Sequence, residues 1–178
     1  MTKKAPRETR LKLLWATVAV ILGEGAAHLT LDAVAREACV SKGGLLHHFP
    51  TKKHLLQGLI EFSVQTWEQR LAQELALEPD DKPGRWCRAY IRTCLDLSAE
   101  EANLTLALTK ATSVFPECFA DFQNKTWPRI NDDGLPPGRA LVIQSACDAL
   151  WLNELTGMPP LNQIELAQMR TELMRLTE

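Results

Sequence analysis

The 178 residues predict an all-α protein of about nine helices, a three-helix N-terminal head followed by a helical body. Three observations lead there. No stretch alternates apolar and polar residues as a half-buried strand must, and no repeat is visible. Apolar residues recur instead at helical spacing along nearly the whole chain. The interruptions carry helix stops and starts, a glycine after one stripe and Ser or Thr before the next. At 46% hydrophobic and 24% charged, the composition is that of a globular chain.

Taken in order, Arg7 to Glu24 places Leu11, Leu14, Trp15, Val18 and Leu22 on one stripe, and Gly25 ends it. Thr30 caps a short helix from Leu31 to Ala38, with Asp32 near its positive end. Ser41 caps the next, Lys42 to His48; Pro50 and Thr51 then stop and restart the chain. A long helix follows from Lys52 to about Leu77, and Asp80 to Gly84 breaks it. Five further helices are expected at roughly 84–99, 102–114, 117–131, 138–156 and 161–176, with the loop "NDDGLPPG" (Asn131 to Gly138) between the third and fourth. Two domains fit this order: residues 1–51 as the head and 52–178 as the body, connected by helix 52–77.

The helix at 84–99 presents Trp86, Tyr90, Thr93 and Leu97 on one face and Cys87, Ile91 and Cys94 on a second, so two thirds of it should be buried. Helix 138–156 is apolar on more than one face, through Leu141, Val142, Ile143, Ala146, Ala149, Leu150, Trp151 and Leu155. Near the end of a small body one face should meet water, so a second copy is expected to cover it. The final helix adds Leu166, Met169, Leu173 and Leu176 on one side.

Net charge is −2, but it is unevenly spread. Residues 1–58 hold 9 Lys/Arg against 4 Asp/Glu, and all four histidines; the remainder holds 11 against 18. A basic head on an acidic body points to two tasks. Lys3, Lys4, Arg7, Arg10 and Lys12 are read either as a solvated end or as a flexible arm reaching the minor groove of DNA. Five cysteines, an odd number without CxxC, fit reduced thiols in a cytoplasmic protein. The apolar run Leu13 to Gly23 is about half the length of a membrane span and lacks a small-residue cleavage site, so neither membrane insertion nor secretion is expected.

The stretch "VSKGGLLHHFPTKKHLL" (Val40 to Leu56) combines poor helix formers, positive charge and imidazoles. Two short helices joined by Cys39-Val40-Ser41 read as a helix-turn-helix, with Ala35 small where the helices cross and Val34, Ala38, Val40 and Leu45 as the apolar underside. The second helix would enter the major groove of double-stranded DNA. Gly43 and Gly44 would let its start approach the sugar-phosphate edge, and Lys42 adds charge. Thr51 and Lys52 would clamp a second phosphate, and His47 faces outward toward a base edge or phosphate. His48 either contacts phosphate or turns inward beside Phe49. His47, His48 and His54 are not expected to hold a metal, because adjacent histidines diverge by about 100° on a helix. Cys39 is read as a small buried turn residue rather than a redox sensor.

With "LTLDAVAREACVSKGGLLHHF" (Leu29 to Phe49) and "TKKHLL" (Thr51 to Leu56), the chain resembles the TetR family of bacterial transcriptional regulators from about Leu13 to Leu59. The resemblance implies an Ω-shaped homodimer, nine or so helices per subunit, and a small-molecule effector that releases DNA; no cofactor is expected. By position it assigns DNA contact to Thr30, Ser41, Lys42, Gly43, Gly44, Leu46, His47, His48 and Lys52. Two departures stand out. The family often carries Tyr at the positions of Leu46 or His47, and a glycine is common where Cys39 stands; a non-glycine there must either adopt a left-handed backbone or alter the turn. For the effector, Trp67, Trp86, Tyr90, Phe115 and Phe119 offer aromatic surface, and Thr93 and Thr109 offer hydroxyls. No nucleophile–base motif or phosphate loop is present, and the carboxylate pairs Glu100-Glu101 and Asp132-Asp133 fall in expected turns, where solvation explains them. An enzyme is therefore not expected. The alternatives kept are a constitutive DNA-binding protein without effector and, behind it, a helical enzyme.

Overall fold

The computed structural model describes residues 4–79, 81–112, 128–130, 132–156 and 158–178. Among the described residues every regular element is helical: α1 (Lys4–Glu24), a 3₁₀ turn (Ala26–His28), α2 (Leu31–Glu37), α3 (Lys42–His48), α4 (Lys52–Ala76), α5 (Arg85–Leu95), α6 (Ala99–Thr112), α7 (Pro137–Thr156) and α8 (Gln163–Arg175). The all-α expectation is met. Residues 128–130 are also helical, and the rest of the helix expected over 117–131 lies outside the described residues.

The chain forms two compact units, residues 1–63 with 103–118, and 64–102 with 119–178. Helices α4 and α6 each contribute residues to both.

In the first unit, α1 supplies Leu13, Leu14, Val18 and Ile21 to a core closed by Val34 of α2, Leu45 of α3, Leu55 and Leu59 of α4 and Leu104 of α6. Helix α1 begins three residues before the expected start, so the basic residues from Lys4 onward are helical and not a flexible arm. Pro6 falls in the first turn, where a missing N–H costs no helical hydrogen bond. Gly25, at φ 90°, ends α1 as expected. Phe49 seats its ring on α4 at Gly58, where a Cβ would come within 2.6 Å of the ring. The Arg10 guanidinium covers the same ring at 5.4 Å, and Arg10 also pairs with Glu61. This docking sets the exit from α3 into α4.

In the second unit, α5 packs against α7 and α8. Cys87, Tyr90, Ile91 and Cys94 meet Ile130, Ile143, Cys147 and Leu173 in its core. Two carboxylate readings are corrected here. Asp133 is not a solvated turn residue: it is buried, and its carboxylate accepts the Cys87 N–H at 2.7 Å. Gly84, the residue before α5, is in a left-handed conformation and has no side chain with which to cap, so Asp133, 46 positions beyond Cys87, caps the helix. Burial and the neighbouring Asp133 together push the Cys87 thiol up to about 12. Glu100 and Glu101 lie in the first turn of α6, not in a turn between helices. Ser98 accepts the Glu101 N–H at 3.2 Å, and Glu101 accepts the Ser98 N–H at 2.8 Å, a reciprocal cap that starts α6 earlier than expected.

The third face of α5 carries Arg85, Arg88 and Arg92, and the last two are paired with carboxylates. Arg88 donates to Glu78 at 2.6 Å; Arg92 donates to Glu74 at 2.7 Å and also to Glu78. Arg70 joins through Glu74 at 3.1 Å and Glu101 at 3.8 Å. Burial by itself would raise the Glu78 carboxyl, but hydrogen bonds from Arg88 and Arg92 outweigh it and hold Glu78 below its ordinary value.

Candidate nucleic-acid interface

The α2–turn–α3 segment is built by two local caps. Thr30 Oγ1 accepts the Ala33 N–H at 3.1 Å, and Ser41 Oγ accepts the Gly44 N–H at 3.1 Å. Each hydroxyl is used as an acceptor, which leaves its own proton available to an outside acceptor such as a phosphate oxygen. Between the helices Cys39 adopts φ 49°, and it is the one non-glycine residue at positive φ among the described residues. The turn thus keeps its left-handed geometry despite the lost glycine. The expectation that Cys39 is buried is overturned: it is exposed, because the left-handed corner directs it away from the packed underside.

Below this corner Val34, Ala35, Ala38 and Leu45 are buried. Above it Thr30, Ser41, Lys42, Gly43, Leu46 and His47 are exposed. Lys42 Nζ lies 2.9 Å from Asp32, an ion pair whose side chains are 60% and 70% exposed. The two glycines differ. A Cβ on Gly44 would stand 3.0 Å from Val40 and 3.2 Å from Ser41 Oγ, so the turn itself leaves little room there. A Cβ on Gly43 would meet nothing within 4 Å.

His47 and His48 pack edge to face with ring centres 5.4 Å apart. His48 is half-buried, and burial, then the neighbouring His47 and Arg10, hold its imidazole below its ordinary value. Thr51 caps α4: its hydroxyl accepts the His54 N–H at 3.3 Å and lies 2.8 Å from His54 Nδ1. Lys52 follows, half-buried at the first position of α4.

The residues considered for an effector are more scattered. Trp67 and Trp86 line a cleft of about 280 Å³ with Leu71, Leu75 and Arg129, whose guanidinium lies 5.3 Å from the Trp86 ring centre. Tyr90 is buried beside Trp67 and donates its hydroxyl to Asp148 at 2.6 Å. Thr93 is buried with its hydroxyl on the Ala89 carbonyl. Thr109 belongs to the other compact unit and donates to the Thr105 carbonyl. Phe115 and Phe119 lie outside the described residues, as do the side chains of Trp151 and Leu155. Of the residues considered for dimerisation, Ile143 and Leu173 are buried in their own core, while Leu150, Leu166 and Met169 are half-buried. In this unit the large apolar side chains left in water include Leu141 and Val142 on α7 and Ile164 on α8, besides Leu77 and Met158 outside the helices. Leu141 and Val142 belong to the apolar faces of the helix expected over 138–156, whereas Ile164 lies off the stripe of Leu166, Met169 and Leu173.

A capped helix pair with a bare, cationic outer face on a helical body is the form of a helix-turn-helix DNA-binding regulator. Residues 13–59 match the family model for bacterial regulatory proteins of the tetR family, and residues 84–178 match the tetracyclin repressor-like C-terminal domain. The HTH-type transcriptional regulator CymR of Pseudomonas putida is 37% identical over 165 residues, spanning 85% of this chain and 77% of CymR. A TetR-family regulator from Rhodococcus sp. shares the fold with a TM-score of 0.74 at 18% identity, over 96% of this chain and 97% of that one. The multidrug binding protein EbrR, in complex with malachite green, does so with a TM-score of 0.64 at 21% identity, over 94% and 96%. The chain belongs to the TetR family of DNA-binding transcriptional regulators. No described helix is long and apolar enough to cross a membrane.

Proposed function

We propose that the protein is a repressor that binds a near-palindromic operator as a homodimer and is released by a small-molecule effector. Residues 1–51 then bind DNA, residues 52–178 bind the effector and dimerise, and α4 connects the two. The observation that carries the DNA side is the exposed face of Thr30, Ser41, Lys42, Gly43, Leu46 and His47, together with Gly43, for which the chain itself gives no packing reason. Thr51 and Lys52 at the start of α4 supply a second phosphate contact, and the cap at Gly44 and the His47–His48 pair shape the surface between. Two such faces, one per subunit, would engage successive major grooves about 34–36 Å apart.

The dimer is supported by Leu141, Val142 and Ile164, three large apolar side chains between 53% and 71% exposed. The effector side is supported by the Trp67–Trp86 cleft and by the likeness in fold to EbrR, which is itself a multidrug binding protein. An effector that binds the DNA-free state 100-fold more tightly lowers DNA affinity by that factor, which needs about 2.7 kcal/mol of coupling.

Selecting bound fragments from random duplex DNA tests the reading. A recovered inverted repeat bound by a dimer, and weakened by one member of a compound panel, is the expected result. Recovery of no preferred duplex would sink it. Leu141→Glu with Val142→Glu should give monomers in sedimentation, and an unchanged dimer would remove the assigned interface. One observation favours a rival without effector, since Tyr90 and Thr93 are buried and already hydrogen-bonded. A panel that never raises the melting temperature while DNA binding stays intact would decide for that rival.

A further inference from the structure

Helix α3 turns one leucine inward and the next one outward. Leu45 is wholly buried, whereas Leu46 is 38% exposed and shares its face with Lys42, Gly43 and His47. Its neighbour one turn back is Gly43, with open space where a side chain would be. Residues three apart lie side by side on a helix, so the bare backbone at Gly43 leaves the side of Leu46 that faces it uncovered. The polar groups on this face can bind phosphate anywhere along a duplex, but a leucine side chain makes no hydrogen bond. In the major groove the one apolar feature of the base edges is a methyl at C5 of a pyrimidine, present on thymine and absent from unmodified cytosine.

We infer that Leu46 is a specificity-determining residue that reads a C5 methyl in the major groove, with Gly43 clearing its approach. The inference rests on the DNA-binding reading of this same face and adds the base feature it recognises. Thymine carries that methyl in ordinary DNA, and 5-methylcytosine carries the same group where DNA is modified. Burying one methyl is worth about fourfold in affinity per half-site.

The test uses the full chain and a duplex selected from random sequence. Each thymine is replaced in turn by deoxyuridine, which deletes only the methyl, and each cytosine in turn by 5-methylcytosine. The expected result is one position per half-site at which uracil weakens binding about fourfold. At that position Leu46→Ala, and Leu46→Asn of similar length but polar, bind thymine and uracil alike. Both variants should keep a cooperative unfolding transition, because the side chain is partly exposed and lies outside the buried core. If no uracil matters but one 5-methylcytosine strengthens binding by the parent and not by the variants, the methyl contact stands with the modified base as its source. If neither replacement separates the parent from the variants at any position, Leu46 touches only sugar or solvent and the inference is overturned while DNA binding stands. If selection recovers no preferred duplex, the DNA-binding reading itself fails and takes this one with it.

Discussion

The head and the second unit hold their charges in opposite ways. On the head, Lys42 and Asp32 form an ion pair that water reaches from both sides. In the second unit, Arg88 and Arg92 meet Glu74 and Glu78 with side chains only 9–16% exposed. An exposed pair contributes between zero and about 1 kcal/mol, so Lys42 can leave Asp32 for a phosphate at little cost. A buried pair cannot be parted so cheaply, because the charge left behind has lost its water. The Lys42–Asp32 pair exchanges easily, and the Arg88–Arg92–Glu74–Glu78 network does not; exposed pairs such as Arg175–Glu172 in the second unit behave like the former.

The strongest way to break this contrast is Arg92→Ala. It strips Glu74 and Glu78 of a shared partner and should cost about 3 kcal/mol in urea unfolding, within the range for a broken buried pair. Lys42→Ala should shift the same transition by under about 0.5 kcal/mol. Equal losses would dissolve the distinction. Next comes Asp133→Ala, which leaves the buried Cys87 N–H without its acceptor and α5 without its cap. A loss of about 2 kcal/mol is expected, against a fraction of that for Asp132→Ala at the exposed neighbouring position.

Acid sharpens the comparison further. The Glu78 carboxyl is held below its ordinary value of 4.5, so its contribution is complete above that pH and is lost as pH falls through the lower folded value. Stability measured from pH 6 downward should therefore fall earlier in the parent than in Glu78→Gln, which has no such proton to take up. Parallel curves would mean that the network does not couple to folding. An effect of the opposite sign is expected for Gly43→Ala. A methyl there meets nothing and favours helix, so the fold should be unchanged or firmer by up to about 1 kcal/mol, while affinity for duplex DNA falls. Unchanged DNA affinity would show that the glycine clears space for nothing.

Much of the head was legible before any coordinates because its signals are local. Thr30 and Ser41 cap helices that begin one residue later, Gly25 ends the helix it follows, and the outer face of α3 comes from consecutive residues. The exposure of Cys39 was not legible, since it depends on which way a left-handed corner points. In the body the helices could be read from their periodicity, but not the partners of their polar residues. Arg85, Arg88 and Arg92 form a face that looks solvated in the sequence, and nothing in the sequence indicates that Glu74 and Glu78 lie against it.

By itself, then, the sequence determined the all-helical class, the caps and turn of the head, and the outward placement of Lys42, Gly43 and His47, because each depends on groups within about one helical turn. Only the tertiary structure decided that Asp133 caps α5, that Ile143 and Leu173 stay inside while Leu141 and Ile164 face out, and that Arg88 and Arg92 are paired with Glu78 and Glu74. These outcomes depend on which helix faces come together, and a polar group's partner is set by distance in space, which helical periodicity along the chain does not encode.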